Sequence, residues 1–325
     1  MIQLNKLITA NFPTNSVSLA FGYGSQVVKQ AGAKLGSTRM IDLIIAVRDP
    51  LSWHEENLRR NNNHYSFLKY FGGANTVTKL QENFGAKIYF NTLVRVDQQL
   101  IKYGVINRDH LINDLLDWET LYIAGRLHKP TNFVIGPDCD YLRQALKINL
   151  DSALRSSLLL LPEIFLERQL YKMIVSLSYM GDFRMKFGED KSKIDNILDA
   201  QLDRLINIYQ PMLSSSTFQD VVKWNETKQH YVQDTSSSAV LHHLNLLPKH
   251  VQQQLYLAYR SKCDLDDVLM AVSESFYYER YVRKAISDIT RKSSISQSLK
   301  GILTAGPSKS IRYGWHKIKK LIDSS

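Results

Sequence analysis

At 325 residues and 44% apolar content, the chain can hold two or three domains around a sizeable core, which excludes wholesale disorder. The formal charge of +10 is unevenly placed: from Tyr281 to Ser325 ten Lys or Arg stand against two Asp. A basic tail meeting an anionic surface explains this better than a protein that coats nucleic acid. Two distant cysteines, Cys139 and Cys263, make neither a disulfide framework nor a zinc site. No run reaches the length of a membrane span, and Met1 to Asn15 reads as neither a signal peptide nor a convincing transit peptide.

In chain order, residues 1 to 115 read as α/β. Leu4 to Ala10 is a short helix, and Val17 to Phe21 and Met40 to Val47 are the best strands. Asp49-Pro50 punctuates the second strand, because proline cannot continue a central ladder. Tyr65 to Phe71 and Thr76 to Glu82 read as helical, then Lys87 to Val94 and Gln99 to Ile106 as strands around a turn at Asp97. From Asp109 the apolar period changes to that of a helix. Phe133 to Ile135 is a short strand, and helices are expected over 141–162, 163–180 and 191–209, the last ended at Pro211. Two serine triplets, 214–216 and 236–238, read as connectors. Helices follow over 251–260 and 264–288, and the Ser/Lys/Gly-rich run 291–310 reads as a flexible linker. In the tail, Ile311, Trp315, Ile318 and Ile322 share one helical face, flanked by Arg312, Lys317, Lys319 and Lys320. That is the character of an interfacial helix with a tryptophan anchor; the alternative is a helix docked on the body. The resulting division is 1–115, 116–215, 216–290 and 291–325.

Two features suggest triphosphate chemistry. Gly22-Tyr23-Gly24-Ser25 follows the first strand, where glycines let phosphate oxygens approach backbone N–H groups. Asp42 is a carboxylate inside an apolar strand, costly unless compensated by solvent, a metal or a cation. The turn alone is weak: it matches neither the P-loop nor the dinucleotide spacing, and tight turns often look the same. Ile44 excludes a paired Asp-x-Asp, so a second acid must come from elsewhere. Asp190 in Glu189-Asp190-Lys191 is one candidate, with helix capping as the alternative. Asp234 is another, with an ordinary loop acid as the alternative. Lys102, flanked by Ile101 and Tyr103, is either a phosphate-facing charge or an edge-strand lysine. Asp182-Phe183-Arg184 offers a base to a lipid phosphate. No HExxH or assignable Ser-His-Asp set is present, which argues against a covalent nucleophile.

Several ordered segments carry a resemblance. They include Phe21-Gly22-Tyr23-Gly24-Ser25, Met40-Ile41-Asp42, Ser52-Trp53-His54 and Ile101-Lys102-Tyr103-Gly104. Further on come Leu121-Tyr122-x-Ala124-Gly125-Arg126-Leu127-x-Lys129-Pro130, Ser178-Tyr179-x-Gly181-Asp182-Phe183-Arg184 and Gly188-Glu189-Asp190-Lys191. Over roughly residues 17 to 260 the chain resembles the mitochondrial translocator assembly and maintenance family of phosphatidate cytidylyltransferases. The resemblance implies a polymerase-β-like nucleotidyltransferase domain, a winged-helix-like, mostly helical domain and a basic C-terminal helix. It also implies CMP transfer from CTP to phosphatidic acid with Mg²⁺, toward cardiolipin, by a peripheral protein on the matrix side of the mitochondrial inner membrane. On that carry-over Tyr23, Gly24, Ser25 and Lys102 bind the nucleotide and Asp42 holds metal, with Asp190 in a second motif facing the nucleotide; Asp234 stays the other candidate metal acid on the residues alone. Lys102, Asp190 and Lys191 act in catalysis with Asp42. On the residues alone, Arg184 and the tail residues Arg312, Trp315, Lys317, Lys319 and Lys320 are the candidates to meet lipid. A nucleotidyltransferase acting on RNA or protein, or a non-catalytic membrane-associated assembly protein, stands as the alternative. Deleting residues 309–325 is expected to weaken binding to phosphatidic-acid or cardiolipin liposomes in a flotation assay; unchanged partition would refute that role for the tail.

Overall fold

Alternating side chains on short β-rich runs build a five-stranded sheet from β1 (Val17–Tyr23), β2 (Ile41–Val47), β3 (Ile88–Val96), β4 (Gln99–Asn107) and β5 (Asn132–Ile135). The computed structural model describes residues 2–24, 40–97, 99–187, 192–259 and 264–305. The strand order is β3-β4-β2-β1-β5, with β2 and β4 parallel and the other pairs antiparallel. β5 comes from beyond residue 115, so the first sheet draws on chain past the boundary expected there. Both faces are covered, which is why β2 is apolar almost throughout. One face sends Leu19, Phe21, Ile44, Ala46, Ile88, Phe90 and Ile106 into a large core. The other sends Ala20, Leu43, Ile45, Val47, Tyr103 and Val105 against Phe12 and Trp53.

Three helices flank the second face and the β3 edge: α1 (Ile2–Asn11), α2 (Pro50–Arg60) and α3 (Gly73–Asn83). The Asp49-Pro50 pair that ends β2 also begins α2, because Asp49 accepts the Ser52 N–H and Pro50 fits the first turn. Under α2 lies a polar knot. His54 bridges the Tyr65 hydroxyl and the Gln81 side chain, and Asn57 donates to the hydroxyls of Tyr65 and Tyr103. Burial pushes the His54 imidazole down to about 4, so it is neutral at physiological pH.

After α4 (Arg108–Asp117) and the short α5 (Ala124–Leu127), the chain makes a second unit. Its elements are α6 (Asp140–Leu158), β6 (Ile164–Phe165), α7 (Glu167–Leu177), α8 (Arg184–Phe187), α9 (Lys193–Leu213), α10 (Ser216–Gln219), β7 (Val222–Asn225) and β8 (His230–Gln233). The strands form an antiparallel sheet in the order β6-β8-β7. Its core runs from Leu154 through Phe165, Ile174, Leu205 and Tyr209 to Tyr231, past residue 215. Pro211 lies within α9 rather than ending it. The second serine triplet begins a helix, α11 (Ser237–Asn245), because Ser236 caps it. α12 (Lys249–Tyr259), α13 (Leu265–Ser273) and α14 (Tyr278–Ala305) complete the described chain. The helix expected over 264–288 is broken between α13 and α14.

The expectation of a flexible linker from Arg291 fails over residues 291–305, which continue α14. The composition misleads because the pattern is inverted. Ser293, Ser294, Gln297, Lys300 and Thr304 are buried, whereas Ile295, Leu299, Ile302 and Leu303 face outward. The buried polar groups are matched to backbone. The Gln297 side chain accepts from Ala86 N–H at 2.9 Å, and Lys300 Nζ donates to the carbonyls of Gln81 (3.0 Å) and Phe84 (2.7 Å) at the end of α3. Burial pulls the Lys300 ammonium down to about 7. The folded chain therefore binds fewer protons than the unfolded chain between about pH 7 and the ordinary lysine range, and stability rises with pH across that window. Thermal melts near pH 7 and near pH 9 should show a larger upward shift for the native protein than for Lys300→Met. Equal shifts would exclude this ammonium as the source.

Candidate functional site

At one end of the sheet the face that forms the large core turns polar. Tyr23 pairs with Asp42 across β1 and β2, and Asp42 pairs with Lys102 across β2 and β4. Paired residues share a face, so three half-buried polar side chains form a row that continues the apolar rows of Phe21, Ile44 and Gly104. Gly24 follows at φ +87°, and among the described residues a Cβ built there would meet the Asp42 carboxylate, 4.0 Å away. Lys102 Nζ lies 4.5 Å from the centre of the Phe90 ring. Phe90 can lie there because Gly104 leaves room: a Cβ on that glycine would come within 2.6 Å of the ring.

A second wall comes from residues 120–129, whose course is set by one carboxylate. Asp114, buried in α4, accepts from Thr120 N–H, Thr120 Oγ1 and Leu121 N–H on one oxygen. Its other oxygen accepts from Ile123 and Ala124 N–H. The turn contains Trp118 and Leu121 at φ 54° and 53°. Left-handed backbone at such residues costs on the order of 1–2 kcal/mol each, which the charge-assisted bonds offset. Arg126 emerges from this turn. Its guanidinium stacks 4.0 Å from the Tyr122 ring centre and 5.1 Å from that of Tyr23, and its buried Nε has no partner among the described residues. Burial, then the Asp42 charge, pushes the Tyr23 phenol up to about 12. Burial alone would raise Tyr122 as well, but Arg126, Lys102 and Arg184 together take it below its ordinary value.

More cations line this wall. Lys129 Nζ donates to Gly125 O (2.6 Å) and Ser178 Oγ (2.7 Å), and lies 5.0 Å from the Tyr179 ring, as does Lys193. Burial, then Arg126 and Lys193, holds Lys129 well below the lysine range. Arg184 makes a two-pronged pair with Asp182. Gly181, at φ +76°, lets that turn touch α14, since a Cβ would sit 2.2 Å from Ser287 O. Among the described residues, Lys102, Arg126, Arg184 and Lys193, with Lys129 as a hydrogen-bond donor, stand near Asp42 and Asp182, a donor set able to hold a polyphosphate.

The residues expected from the sequence fare differently. Tyr23, Gly24, Asp42 and Lys102 come together. Arg184 joins them through its influence on Tyr122. Asp234 sits at the end of β8 on the second sheet, exposed, and accepts the Ser236 N–H as a turn. Ser25, Asp190, Lys191, Arg312, Trp315, Lys317, Lys319 and Lys320 lie outside the described residues. Among the described residues no three His, Cys, Asp or Glu gather as a ligand set. One carboxylate still fits Mg²⁺, which commonly uses one or two carboxylates plus substrate phosphates. Tyr122, Arg126, Lys129 and Lys193 were not assigned roles from sequence; two cations just after Ala124-Gly125, within a few residues of Tyr122, were the available signal.

Comparison with known proteins matches residues 4–320 to the family model described as mitochondrial phosphatidate cytidylyltransferase. The chain belongs to that family. A cytidylyltransferase of this name from Danio rerio is 43% identical over 319 residues, covering 97% of this chain and 93% of the relative. Relatives of the same name from Drosophila melanogaster (41% over 341 residues, 98% and 99% coverage) and Caenorhabditis elegans (38% over 331 residues, the whole of both chains) extend the match. The Tyr122-to-Lys129 wall therefore belongs to a cytidylyltransferase chain. Asp114→Asn would turn an amide N–H₂ toward backbone donors on one side. The expected loss is roughly 2–4 kcal/mol in urea unfolding, and unchanged stability would show that Asp114 does not hold the turn.

Proposed function

We propose that this chain transfers CMP from CTP to phosphatidic acid, forming CDP-diacylglycerol and pyrophosphate. The observation that carries the reading is the Tyr23–Asp42–Lys102 row beside Gly24, faced by Arg126. A phosphate oxygen of phosphatidic acid attacks the α-phosphorus of CTP. The new P–O bond forms as the α–β bridging bond breaks, and its electron pair leaves with pyrophosphate. Lys102 and Arg126 offset charge on the phosphates as this happens, and their fixed places remove the need for solvent to reorganise. Arg126 Nε is a buried donor available for one phosphate oxygen. Tyr23, held neutral by burial, borders the nucleotide side of the row. Asp42 would hold Mg²⁺, with Asp190 as a second ligand; bound there, the ion supplies Lewis-acid neutralisation of the phosphates.

The same reading makes the first sheet and its helices a polymerase-β-like nucleotidyltransferase unit. For the second unit, the order helix, strand, two long helices and hairpin, with strand order β6-β8-β7, supports a winged-helix-like assignment. That unit then extends to the end of β8. No helix among the described residues is long and apolar enough to cross a membrane. In this reading the protein is a peripheral one on the matrix side of the mitochondrial inner membrane, supplying cardiolipin synthesis. Arg184 and the basic tail face the anionic lipid.

The test is incubation with each of four labelled nucleoside triphosphates, Mg²⁺ and phosphatidic acid, reading lipid product and pyrophosphate together. Only CTP should yield both in equal amounts. Asp42→Ala should cut turnover at least about 100-fold with an unchanged melting temperature. Near-normal turnover in that variant, or product from another nucleotide at comparable rate, would overturn the assignment.

A further inference from the structure

A protein that acts on a membrane lipid without a described spanning helix must present a surface to the bilayer. Three exposed aromatic groups fall in one short stretch of the first unit, the 3-10 turn Phe67–Phe71; a second exposed pair, Phe276 and Tyr277, lies between α13 and α14. Phe67, Tyr70 and Phe71 are 47%, 78% and 69% exposed. Tight bonding of the turn holds them out in solvent. Lys69 Nζ donates to Asn62 O (2.8 Å) and Asn62 Oδ1 (2.6 Å), Thr76 Oγ1 donates to Phe71 O (2.6 Å), and Gly72 at φ +116° closes the turn. Phe67 and Phe71 pack edge to face 6.0 Å apart, so they form one patch. Lys69 adds a positive charge within the turn, while Arg59 and Arg60 at the end of α2 are paired with Glu56. Aromatic rings with a lysine among them match the interface of an anionic bilayer.

The turn joins helices on the second face of the sheet, opposite the face of the Tyr23–Asp42–Lys102 row, and the topology directs it away from the Val47 end. α2 leaves from the Val47 end, and α3 returns to that end, finishing five residues before Ile88, which pairs with Ile106. Each helix has 11 residues and is about 16 Å long, so the connection carrying Phe67–Phe71 lies toward the end that holds Asp42 and Lys102. The outward apolar face of α14 (Ile295, Leu299, Ile302, Leu303) lies instead near Ala86 and Ile88, at the opposite end.

We infer that the Phe67–Phe71 turn inserts into the anionic lipid surface from which phosphatidic acid is drawn, so that the lipid phosphate is offered to the end of the sheet holding Asp42. The inference rests on the phosphatidate reading. The test uses the full chain, the triple variant Phe67→Ser, Tyr70→Ser, Phe71→Ser, and the milder single variants Phe71→Ser and Lys69→Glu in case the triple variant does not fold. Binding is read by flotation with phosphatidylcholine vesicles containing about 20% phosphatidic acid. Activity is read on those vesicles and on a water-soluble, short-chain phosphatidic acid. Vesicle binding and vesicle turnover should fall together by about tenfold, with turnover of the soluble substrate within about twofold of native. Unchanged vesicle binding would overturn the inference, as would an equal loss on the soluble substrate. Loss of binding in Leu299→Ser, Ile302→Ser with none in the turn variants would move the contact to α14 and also overturn it. Failure of the native chain to use the soluble substrate would count against the phosphatidate reading, while the flotation result would still judge the turn.

Discussion

Five donors converge on the Asp114 carboxylate, and the cationic wall of the cleft takes its position from that convergence. A buried carboxylate without such partners would be strongly destabilising; with them it fixes two left-handed residues and a tight reversal that the backbone would otherwise avoid. Arg126 and Lys129 follow within six residues of the last donor, too few for either to place itself independently. The tight seat of Gly125 on Ser178, where a Cβ would meet the Ser178 side chain at 2.4 Å, then joins this wall to the 178–184 turn. The cleft is thus held by backbone donors and close glycine contacts more than by ion pairs between its own cations and acids.

The sheet contributes the other half. A pleated strand commits alternate residues to one face, so the row carrying Tyr23, Asp42 and Lys102 is the same face that carries the core. The change from apolar to polar occurs between adjacent pairs on that face. That step puts the carboxylate against low-dielectric packing, where its interaction with cations is stronger than in water. The aromatic rings beside Lys102 and Arg126 support both cations through their faces.

Much of this was legible in the residues. β1 to β4 declare themselves by composition and turn residues, and Asp42 by being a charge in an apolar strand. Other elements were obscured for identifiable reasons. Asp49-Pro50 signals a strand end and a helix start with the same two residues, so α2 went unassigned. β6, β7 and β8 are two to four residues long and are defined by pairing with partners more than fifty residues away in the case of β6. Residues 291–305 bury serine, glutamine and lysine while exposing isoleucine and leucine, the reverse of the pattern that marks a packed helix. The cationic wall was hidden because its geometry depends on bonds from α4, and no local spacing encodes the reach of Asp114 to residues 120–124.

α14 touches two places that matter. Near its first turns Ser287 receives Gly181, beside the Asp182–Arg184 pair, and thirteen residues later Lys300 sits beneath the last carbonyls of α3. A continuous helix is stiff over that span, so it behaves as a strut braced at the cleft and at the back of the sheet. The spacing between these two regions is then set by helix rise rather than by loop conformation. α14 is in this sense part of the frame that holds the 178–184 turn at a fixed distance from the back of the sheet.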